Sequence, residues 1–307
     1  MQKEYQCTLN KLVEIWGIEP FGGKSVKVTI HPAPENTGRI FRTQGTEIPS
    51  TLEHVEPIKG LAKMLSLKKD DKRILVPEHL LGELLGYGID NAVIELQTTP
   101  TLSYQLLRNF GSAKNSEAVP YFGKKLCEAL KNNIEQQSTE RKILRLEEKI
   151  ETQKLTFEPI EGNEIVIKVI TDYKLAKCER IVQEKELVIS PESTREISIA
   201  RAYCGVPRQI PKWFSKAAGY LLFLSHGFGY GSNESNLFYP QKTPESWKAQ
   251  ELMEEEIACH SILDKLGELS LLPGKLQGIK ITSRGAGHKY TIEVLKSNSY
   301  KFAEAKE

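Results

Sequence analysis

The chain has little of the residue patterns that mark disulfide-rich, membrane and thiolate-metal proteins. Its five cysteines, at positions 7, 127, 178, 204 and 259, include no C-x-x-C pair, which argues against a disulfide framework and a thiolate zinc site. No apolar run reaches the roughly 18 residues of a membrane-spanning helix, and the N-terminal stretch lacks the apolar segment of a secretory signal. We therefore expect a cytoplasmic protein with reduced thiols, in which histidines and carboxylates must hold any metal ion.

An excess of charge of one sign is also lacking. Lys and Arg number 42 against 40 Asp and Glu, which gives a formal net charge of +2. A balance so close to neutral gives no reason to expect a nucleic acid or an acidic membrane as partner. The 307 residues, 39% hydrophobic and 27% charged, suffice for two domains with full cores. We predict a monomer that acts on a small molecule and has no integral membrane segment.

The spacing of apolar residues predicts short strands alternating with helices. Pro77 suits the first turn of a helix that ends at Gly86. A segment at 132–154, rich in Glu, Lys, Gln and Arg, marks the predicted boundary between domain 1–133 and domain 134–307. The other predicted elements are a strand at 24–30, a hairpin over 64–76, helices at 116–132, 244–272 and 288–297, and strands at 163–171 and 276–281.

Two eight-residue stretches, His79 to Gly86 and His260 to Gly267, resemble each other. Each begins with histidine, carries a carboxylate four residues later and closes on glycine. A short strand and a helix are predicted after each stretch. The repetition indicates two similar α+β domains.

Residue types suited to amide hydrolysis occur at three places in the pattern. His260 and Asp264 lie four residues apart and therefore project from one helix face, as two ligands that suit zinc. His79 would be a third ligand. Zinc with an open position makes its water more acidic and polarises a carbonyl. Glu78 could then take the water's proton, and His288 could protonate the departing amine.

The same residues also have purely structural interpretations, which the spacing leaves open. A carboxylate such as Glu78 is favoured at the positive end of a helix dipole. A histidine four residues before an aspartate is more often a surface hydrogen bond than a metal site. The further alternatives are His79 in the core, His288 as a helix-start residue, Asp264 paired with Lys265 or Arg284, Glu83 on a solvated helix face, and an apolar segment at 213–224 that serves either as core or as a ligand passage.

A series of spaced motifs extends over most of the chain. They are Gly17-Ile18 with Gly22-Gly23-Lys24, Pro32-Ala33-Pro34-Glu35-Asn36-Thr37-Gly38, Val76-Pro77-Glu78-His79-Leu80, Gly86-Tyr87-Gly88-Ile89-Asp90-Asn91, Gly111-Ser112-Ala113, Ile199-Ala200-Arg201-Ala202-Tyr203, the stretch from His260 to Gly267, and Gly287-His288. In this order they resemble the UDP-3-O-acyl-N-acetylglucosamine deacetylase family, the zinc enzymes of the committed step of lipid A synthesis.

The resemblance implies a role for each residue of the constellation. His79, His260 and Asp264 would hold the zinc, Glu78 would be the general base and His288 the general acid. The implied fold has two α+β domains, each a β-sheet layered on helices, with the active site between them. An apolar insert at about 205–232 would hold the acyl chain, and Trp213 and Phe214 would contact it.

The chain departs from the family pattern around the expected substrate. Phe21 stands where a histidine is usual, Ser261 replaces a lysine, and Ala202 replaces a threonine that helps to hold the oxyanion. Tyr203 replaces a phenylalanine, and Glu268 replaces the aspartate behind the acid histidine. The aspartate expected before Gly111 is also missing. Because losing one oxyanion donor typically costs ~10²–10³ in rate, the altered contacts at Ala202, Tyr203 and Ser261 bear on turnover and on substrate choice.

We therefore predict a zinc-dependent hydrolase that removes the N-acetyl group from a UDP-3-O-acyl-N-acetylglucosamine-type substrate. Two alternatives stay open: a divergent member that binds a nucleotide sugar or lipid without efficient turnover, and a deacetylase of a different N-acetyl sugar. The predicted ligands favour zinc over iron only weakly, because imidazole and carboxylate groups bind both metals.

Overall fold

The computed structural model describes residues 3–19, 25–57, 64–98, 115–174, 180–203, 237–238 and 251–305. The fold below is that of these residues. None of their helices combines the length and the apolar character needed to span a membrane.

The described residues of the first half form short strands and two α-helices. In chain order its elements are β1 (Tyr5–Leu9), β2 (Val13–Ile18), β3 (Ser25–Pro32), β4 (Arg39–Thr43), β5 (Thr46–Pro49), a 3₁₀ turn (Leu52–His54), β6 (Ser66–Lys69), β7 (Lys72–Leu75), α1 (Glu78–Gly86), β8 (Ala92–Thr98), β9 (Ser116–Ala118) and α2 (Lys124–Leu130). Helix α1 begins directly after Pro77, as the sequence predicted.

The second half follows a similar succession. Its elements are β10 (Ile134–Glu140), β11 (Ile143–Leu146), β12 (Ile150–Glu151), β13 (Leu155–Pro159), β14 (Ile165–Lys174), β15 (Arg180–Val188), α3 (Pro191–Ile197), β16 (Ala202–Tyr203), β17 (Leu237–Phe238), α4 (Glu256–Leu269), β18 (Lys275–Leu276), β19 (Ile279–Arg284), α5 (His288–Ser297), a 3₁₀ turn (Ser299–Lys301) and β20 (Phe302–Glu304). The predicted last helix is confirmed at its full length.

The two main sheets share one topology. The first has the strand order β2–β3–β8–β4–β5 and the second β12–β13–β19–β14–β15. In both, the central pair β8–β4 or β19–β14 is parallel and the other neighbours are antiparallel. In both, a helix (α1 or α4) precedes the strand that returns to the middle of the sheet. This α+β architecture confirms the fold class predicted from the repeated stretches.

Two clusters of buried apolar side chains lie beneath these sheets. The first includes Leu9, Val28, Phe41, Leu80 and Leu84, together with Leu271 and Ile292 from the second half. The second includes Phe157, Ile167, Ile262, Leu266 and Leu295. Strand β10 also pairs with β1 at the start of the chain, so backbone hydrogen bonds join the two halves. The domain boundary at residue 133 stays a prediction.

Three predicted elements have different bounds in the structure. The predicted helix over 116–132 is wrong at its start, because β9 occupies Ser116–Ala118 and Gly123 has a left-handed φ of 56°. The long helix begins only at Glu256, after Glu255 with φ 57°, while residues 244–250 lie outside the described part. The predicted strand at 276–281 is interrupted at Gly278, where φ is 59°. In each case a residue with positive φ stops the regular element.

The sequence analysis placed Glu83 on a solvated helix face, and this prediction is wrong. It is 2% exposed, and the thiol of Cys127 donates a hydrogen bond of 3.2 Å to its Oε2. Burial raises the pKa of Glu83 to about 8, because removal from water disfavours the charged carboxylate. Period-four spacing placed Glu83 on the same side as His79 but could not show that α2 covers this part of the helix.

Replacement of Glu83 by glutamine should therefore change how stability depends on pH. The raised pKa means that the folded state keeps a proton that the unfolded state loses between the ordinary value of 4.5 and about 8. In this window Glu83 makes the free energy of unfolding fall with rising pH by up to about 1.4 kcal/mol per unit. In urea unfolding at several pH values, the free energy of unfolding of Glu83→Gln should rise relative to that of the wild type from pH 5 to pH 8. The exposed Glu293→Gln is the control, and a gain that does not vary with pH contradicts the prediction.

Candidate metal centre

The candidate site lies where helices α1 and α4 touch backbone to backbone. A Cβ atom added at Gly267 would lie 2.1 Å from the carbonyl oxygen of Glu78, and one at Gly82 would lie 2.8 Å from that of Leu263. Any side chain at these positions would force the helices apart. The glycines therefore bring the start of α1, with Glu78 and His79, beside the middle of α4.

The three predicted metal ligands meet at this contact. His79 Nε2 lies 3.2 Å from Asp264 Oδ1, and His260 Nε2 lies 3.4 Å from Asp264 Oδ2. The imidazole rings of His79 and His260 pack edge to face with centroids 4.7 Å apart. One ligand atom from each residue lies within 4.8 Å of the others. Helix spacing brought His260 and Asp264 together, and the fold adds His79 from the other half.

The donor types suit a zinc ion, and the short distances from the two imidazoles to Asp264, one to each carboxylate oxygen, are compatible with one. Bonds of about 2.0–2.2 Å to nitrogen and oxygen give a tetrahedron whose ligand atoms are roughly 3.3–3.5 Å apart. The ring of His260 is oriented by its Nδ1, which lies 3.4 Å from the carbonyl oxygen of Ala200. A hydrogen bond of this kind is typical of histidines that bind metal through the other nitrogen. His79, His260 and Asp264 thus form a group that could hold a metal ion.

Glu78 and His288 flank the ligand group, as predicted for a base and an acid. His288 Nε2 lies 3.5 Å from Glu78 Oε1 and 3.8 Å from Asp264 Oδ2. Glu78 is 3% exposed, and its Oε2 is buried without a hydrogen-bond partner among the described residues. Leaving a carboxylate oxygen unpaired away from water is costly, so this atom marks a place suited to a bound water or substrate group.

Glu268 lies behind His288, at the position where the resemblance implied an aspartate. His288 Nδ1 donates a hydrogen bond of 2.8 Å to Glu268 Oε1. Because this bond places the proton on Nδ1, it aims Nε2 at Glu78 and Asp264. The longer glutamate side chain thus reaches His288.

The buried charges shift the pKa values of the site in different directions. Burial lowers the pKa of His260 to about 4, and burial likewise raises that of Glu78. Burial alone would lower the pKa of His288, but the carboxylates of Asp264, Glu78 and Glu268 raise it to about 9. Burial would raise the pKa of Asp264, yet its histidine neighbours hold it well below its ordinary value. These shifts favour a protonated His288 and a charged Asp264 at neutral pH.

Two buried ion pairs that the sequence pattern did not reveal support the site. Arg201 binds both carboxylate oxygens of Glu256 at 2.7 and 2.8 Å, and its backbone N–H donates to the same group at 3.0 Å. This pair fixes the chain next to the Ala200 carbonyl. Lys265 binds both oxygens of Glu268 at 3.0 and 2.7 Å. The spacing of three residues between Lys265 and Glu268 was a signal for their pair, but such pairs usually lie on exposed helix faces. No spacing along the chain could indicate the pair of Arg201 and Glu256, which lie 55 residues apart.

The predicted substrate residues are only partly described. Ser261 follows His260, and its hydroxyl donates to the carbonyl of Ile257 at 3.0 Å within the helix. Ala202 begins the short strand β16, which pairs with β17. The backbone of Tyr203 lies in the same strand, but its side chain, like Phe21, Trp213, Phe214 and the insert at 205–232, lies outside the described residues.

A small cleft borders His288. Its apolar lining includes Val55, Leu65 and Ile292, and Lys289 and Lys296 also border it. The described lining residues of this cleft do not include Glu78, His79, His260 or Asp264.

Comparison with known proteins identifies the family. The family model described as UDP-3-O-acyl N-acetylglycosamine deacetylase matches residues 6–298. The chain belongs to this family. Proteins named UDP-3-O-acyl-N-acetylglucosamine deacetylase from Hahella chejuensis (strain KCTC 2396), Pseudomonas entomophila (strain L48) and Coxiella burnetii (strain RSA 493 / Nine Mile phase I) are 25%, 26% and 27% identical to it. Each alignment covers 95% of this chain and 89% of the relative. The predicted family is thus confirmed, for a divergent member.

Replacement of Gly267 by alanine should separate the two helices that carry the ligands. The added methyl group collides with the Glu78 backbone, so we expect destabilisation by at least about 1–3 kcal/mol, typical of an overpacked contact. Because His79 moves with α1, zinc affinity should also fall, roughly tenfold or more as for other changes that misorient ligands. Urea unfolding and competition with a chromophoric chelator measure the two effects. Gly287→Ala, whose added Cβ meets nothing within 4 Å, is the control, and equal zinc affinity in both variants contradicts the prediction.

The ligand group should bind one zinc ion per chain and gain stability from it. Protein stripped with a chelator should unfold at lower urea concentration than protein with zinc, by about 2.7 kcal/mol at 100 times Kd. Asp264→Asn should weaken binding strongly because it removes the charged ligand, whereas Glu78→Gln should keep the stoichiometry. Elemental analysis and zinc titration test both expectations. Full zinc occupancy in Asp264→Asn would exclude the assigned ligand set.

Proposed function

We propose that this protein is a zinc-dependent deacetylase that removes the N-acetyl group from a UDP-3-O-acyl-N-acetylglucosamine in lipid A biosynthesis. The observation that carries the proposal is the convergence of three metal ligands, a buried carboxylate and a histidine where the two halves meet. Membership of the family and the names of the relatives support the substrate class. A cytoplasmic location and a monomeric state remain predictions from the sequence.

In the proposed reaction Glu78 and His288 transfer protons during hydrolysis of the acetamide bond. Zinc held by His79, His260 and Asp264 would polarise the acetamide carbonyl and make water more acidic. Glu78, with its unpaired buried oxygen, accepts a proton from the attacking water. A C–O bond forms at the carbonyl carbon, and His288 gives its Nε2 proton to the sugar nitrogen as the C–N bond breaks. The products are acetate and a free amine.

Glu268 orients His288 and stabilises its protonated form. Its hydrogen bond to Nδ1 holds the ring with Nε2 toward the site, and its negative charge stabilises the imidazolium. A zinc ion held by His79, His260 and Asp264 would oppose the rise in the pKa of His288 that the carboxylates cause.

A second candidate function is binding of a nucleotide sugar or lipid without efficient turnover. Two observations favour it: the Ala202 side chain offers no hydrogen-bond donor to an oxyanion, and the Ser261 hydroxyl is engaged by the helix backbone. A deacetylase of a different N-acetyl sugar would fit the same changes. Acetate release from UDP-N-acetylglucosamine and from a small panel of other N-acetyl sugars, each with and without an acyl chain, distinguishes the three. Robust zinc-dependent release from the acylated substrate alone supports the first proposal, and no release supports the second.

Glu78→Gln and His288→Gln should each lower kcat by about 10²–10⁴-fold, the range for removal of a general acid or base. Both variants should fold and keep their zinc, because neither residue is an assigned ligand. Acetate release, zinc content and urea unfolding are the measurements. His31→Gln, a histidine of β3 outside the site, is the control. A rate near that of the wild type in either variant removes the assigned role.

A further inference from the structure

We propose that Lys265 is a positioning residue that acts through Glu268 on His288. This inference rests on the proposed function, because it concerns the group that gives the proton to the departing amine. Neither the repeated helix motif nor the proposed chemistry assigns Lys265 a part. Its position in the structure nevertheless connects it to the acid histidine through one side chain.

Lys265 is among the most deeply buried charged residues described. It is 2% exposed, Glu268 is 0% exposed and Thr291 is 1% exposed. Its ammonium group donates to Glu268 Oε1 at 3.0 Å, to Glu268 Oε2 at 2.7 Å and to Thr291 Oγ1 at 2.9 Å. Three contacts occupy the three N–H donors of a lysine. The ammonium group therefore has one defined position, shared by helices α4 and α5.

The contacts fix the carboxylate that orients His288. Glu268 Oε1 accepts from both His288 Nδ1 and Lys265, so one oxygen carries the two interactions. Thr291 lies three residues after His288 on α5 and ties the lysine to the helix that carries the acid. Lysine thus sets both the orientation of the carboxylate and its distance from the imidazole ring.

The length of the glutamate explains why such an anchor is needed. Glu268 stands where an aspartate is usual, and glutamate has one more rotatable bond. The extra bond gives the carboxylate more orientations, and selecting one of them costs conformational entropy unless neighbouring groups hold it. Lys265 supplies this restraint without touching the metal ligands through its ammonium group.

Lys265→Met tests the role, because it keeps the length of the side chain and removes its donors. In zinc-loaded protein we expect kcat to fall about 10- to 100-fold, as for loss of an outer contact to a catalytic group. KM should stay within about twofold, since the buried lysine is remote from solvent and substrate. Lys280→Met, which removes an exposed lysine on β19, is the matched control.

A double-mutant cycle shows whether the effect passes through Glu268. In a Glu268→Gln background, Lys265→Met should change kcat by less than about twofold, because coupled residues are not additive. An equal fall in both backgrounds, a raised KM with unchanged kcat, or no change at all overturns the proposal. Zinc content of all variants is measured to separate this effect from metal loss.

A readout besides activity keeps the test separate from the proposed function. In wild-type protein with zinc, the Nδ1 proton of His288 should give a hydrogen-bonded NMR signal in histidine-labelled samples. Lys265→Met should shift or lose this signal, and an unchanged signal overturns the proposal even if no acetylated sugar proves to be a substrate. If Lys265→Met does not fold, Thr291→Val removes only the anchor on α5. It should lower kcat at constant KM and shift the same signal, and no change in either contradicts the assigned anchor.

Discussion

The close approach of helices α1 and α4 is the constraint on which the rest of the site depends. A zinc ion needs its ligands within a few ångströms, and the ligands here come from positions 79, 260 and 264. Gly267 and Gly82 let the two backbones meet, as the 2.1 Å separation between an added Cβ at Gly267 and the Glu78 carbonyl shows. The distances from His79 to His260 and Asp264 follow from this contact, because Glu78 and His79 lie in the first turn of α1.

Polar interactions across the two halves hold this contact in register. Arg39 in the first half donates to the carbonyl of Ile89 at 2.7 Å and to that of Ser270, just after α4, at 2.8 Å. Arg141 contacts Glu4 at 3.0 Å and Asp90 at 2.7 Å, and Glu4 also binds Lys275 at 2.7 Å. Arg141 is buried while its carboxylate partners are partly exposed, so sliding of one half against the other would separate the buried guanidinium from its partners. The ligands therefore stay aligned without a covalent link.

Burial of so many charged groups is tolerable because each has a specific partner. Glu268 is paired with Lys265 and His288, and Glu256 with Arg201. Asp264 faces three histidines, two of which we assign to the metal with it. Glu78 of the site differs from these pairs, since its Oε2 has no hydrogen-bond partner among the described residues. A carboxylate left incomplete in this way suits a base that must bind a proton during the reaction.

The sequence by itself determined the fold class, the family and the five residues proposed to act. Helical spacing placed His260 and Asp264 on one face, and Pro77 located the start of α1. The periodicity of apolar residues and the spacing of motif residues describe neighbours along one helix or strand. They could not show that α2 buries Glu83 or that Gly123 divides the predicted helix at 116–132. Nor could they show that Lys265 and Thr291 meet from different helices behind His288. These outcomes depend on packing between elements far apart in the chain, which only the tertiary structure decided.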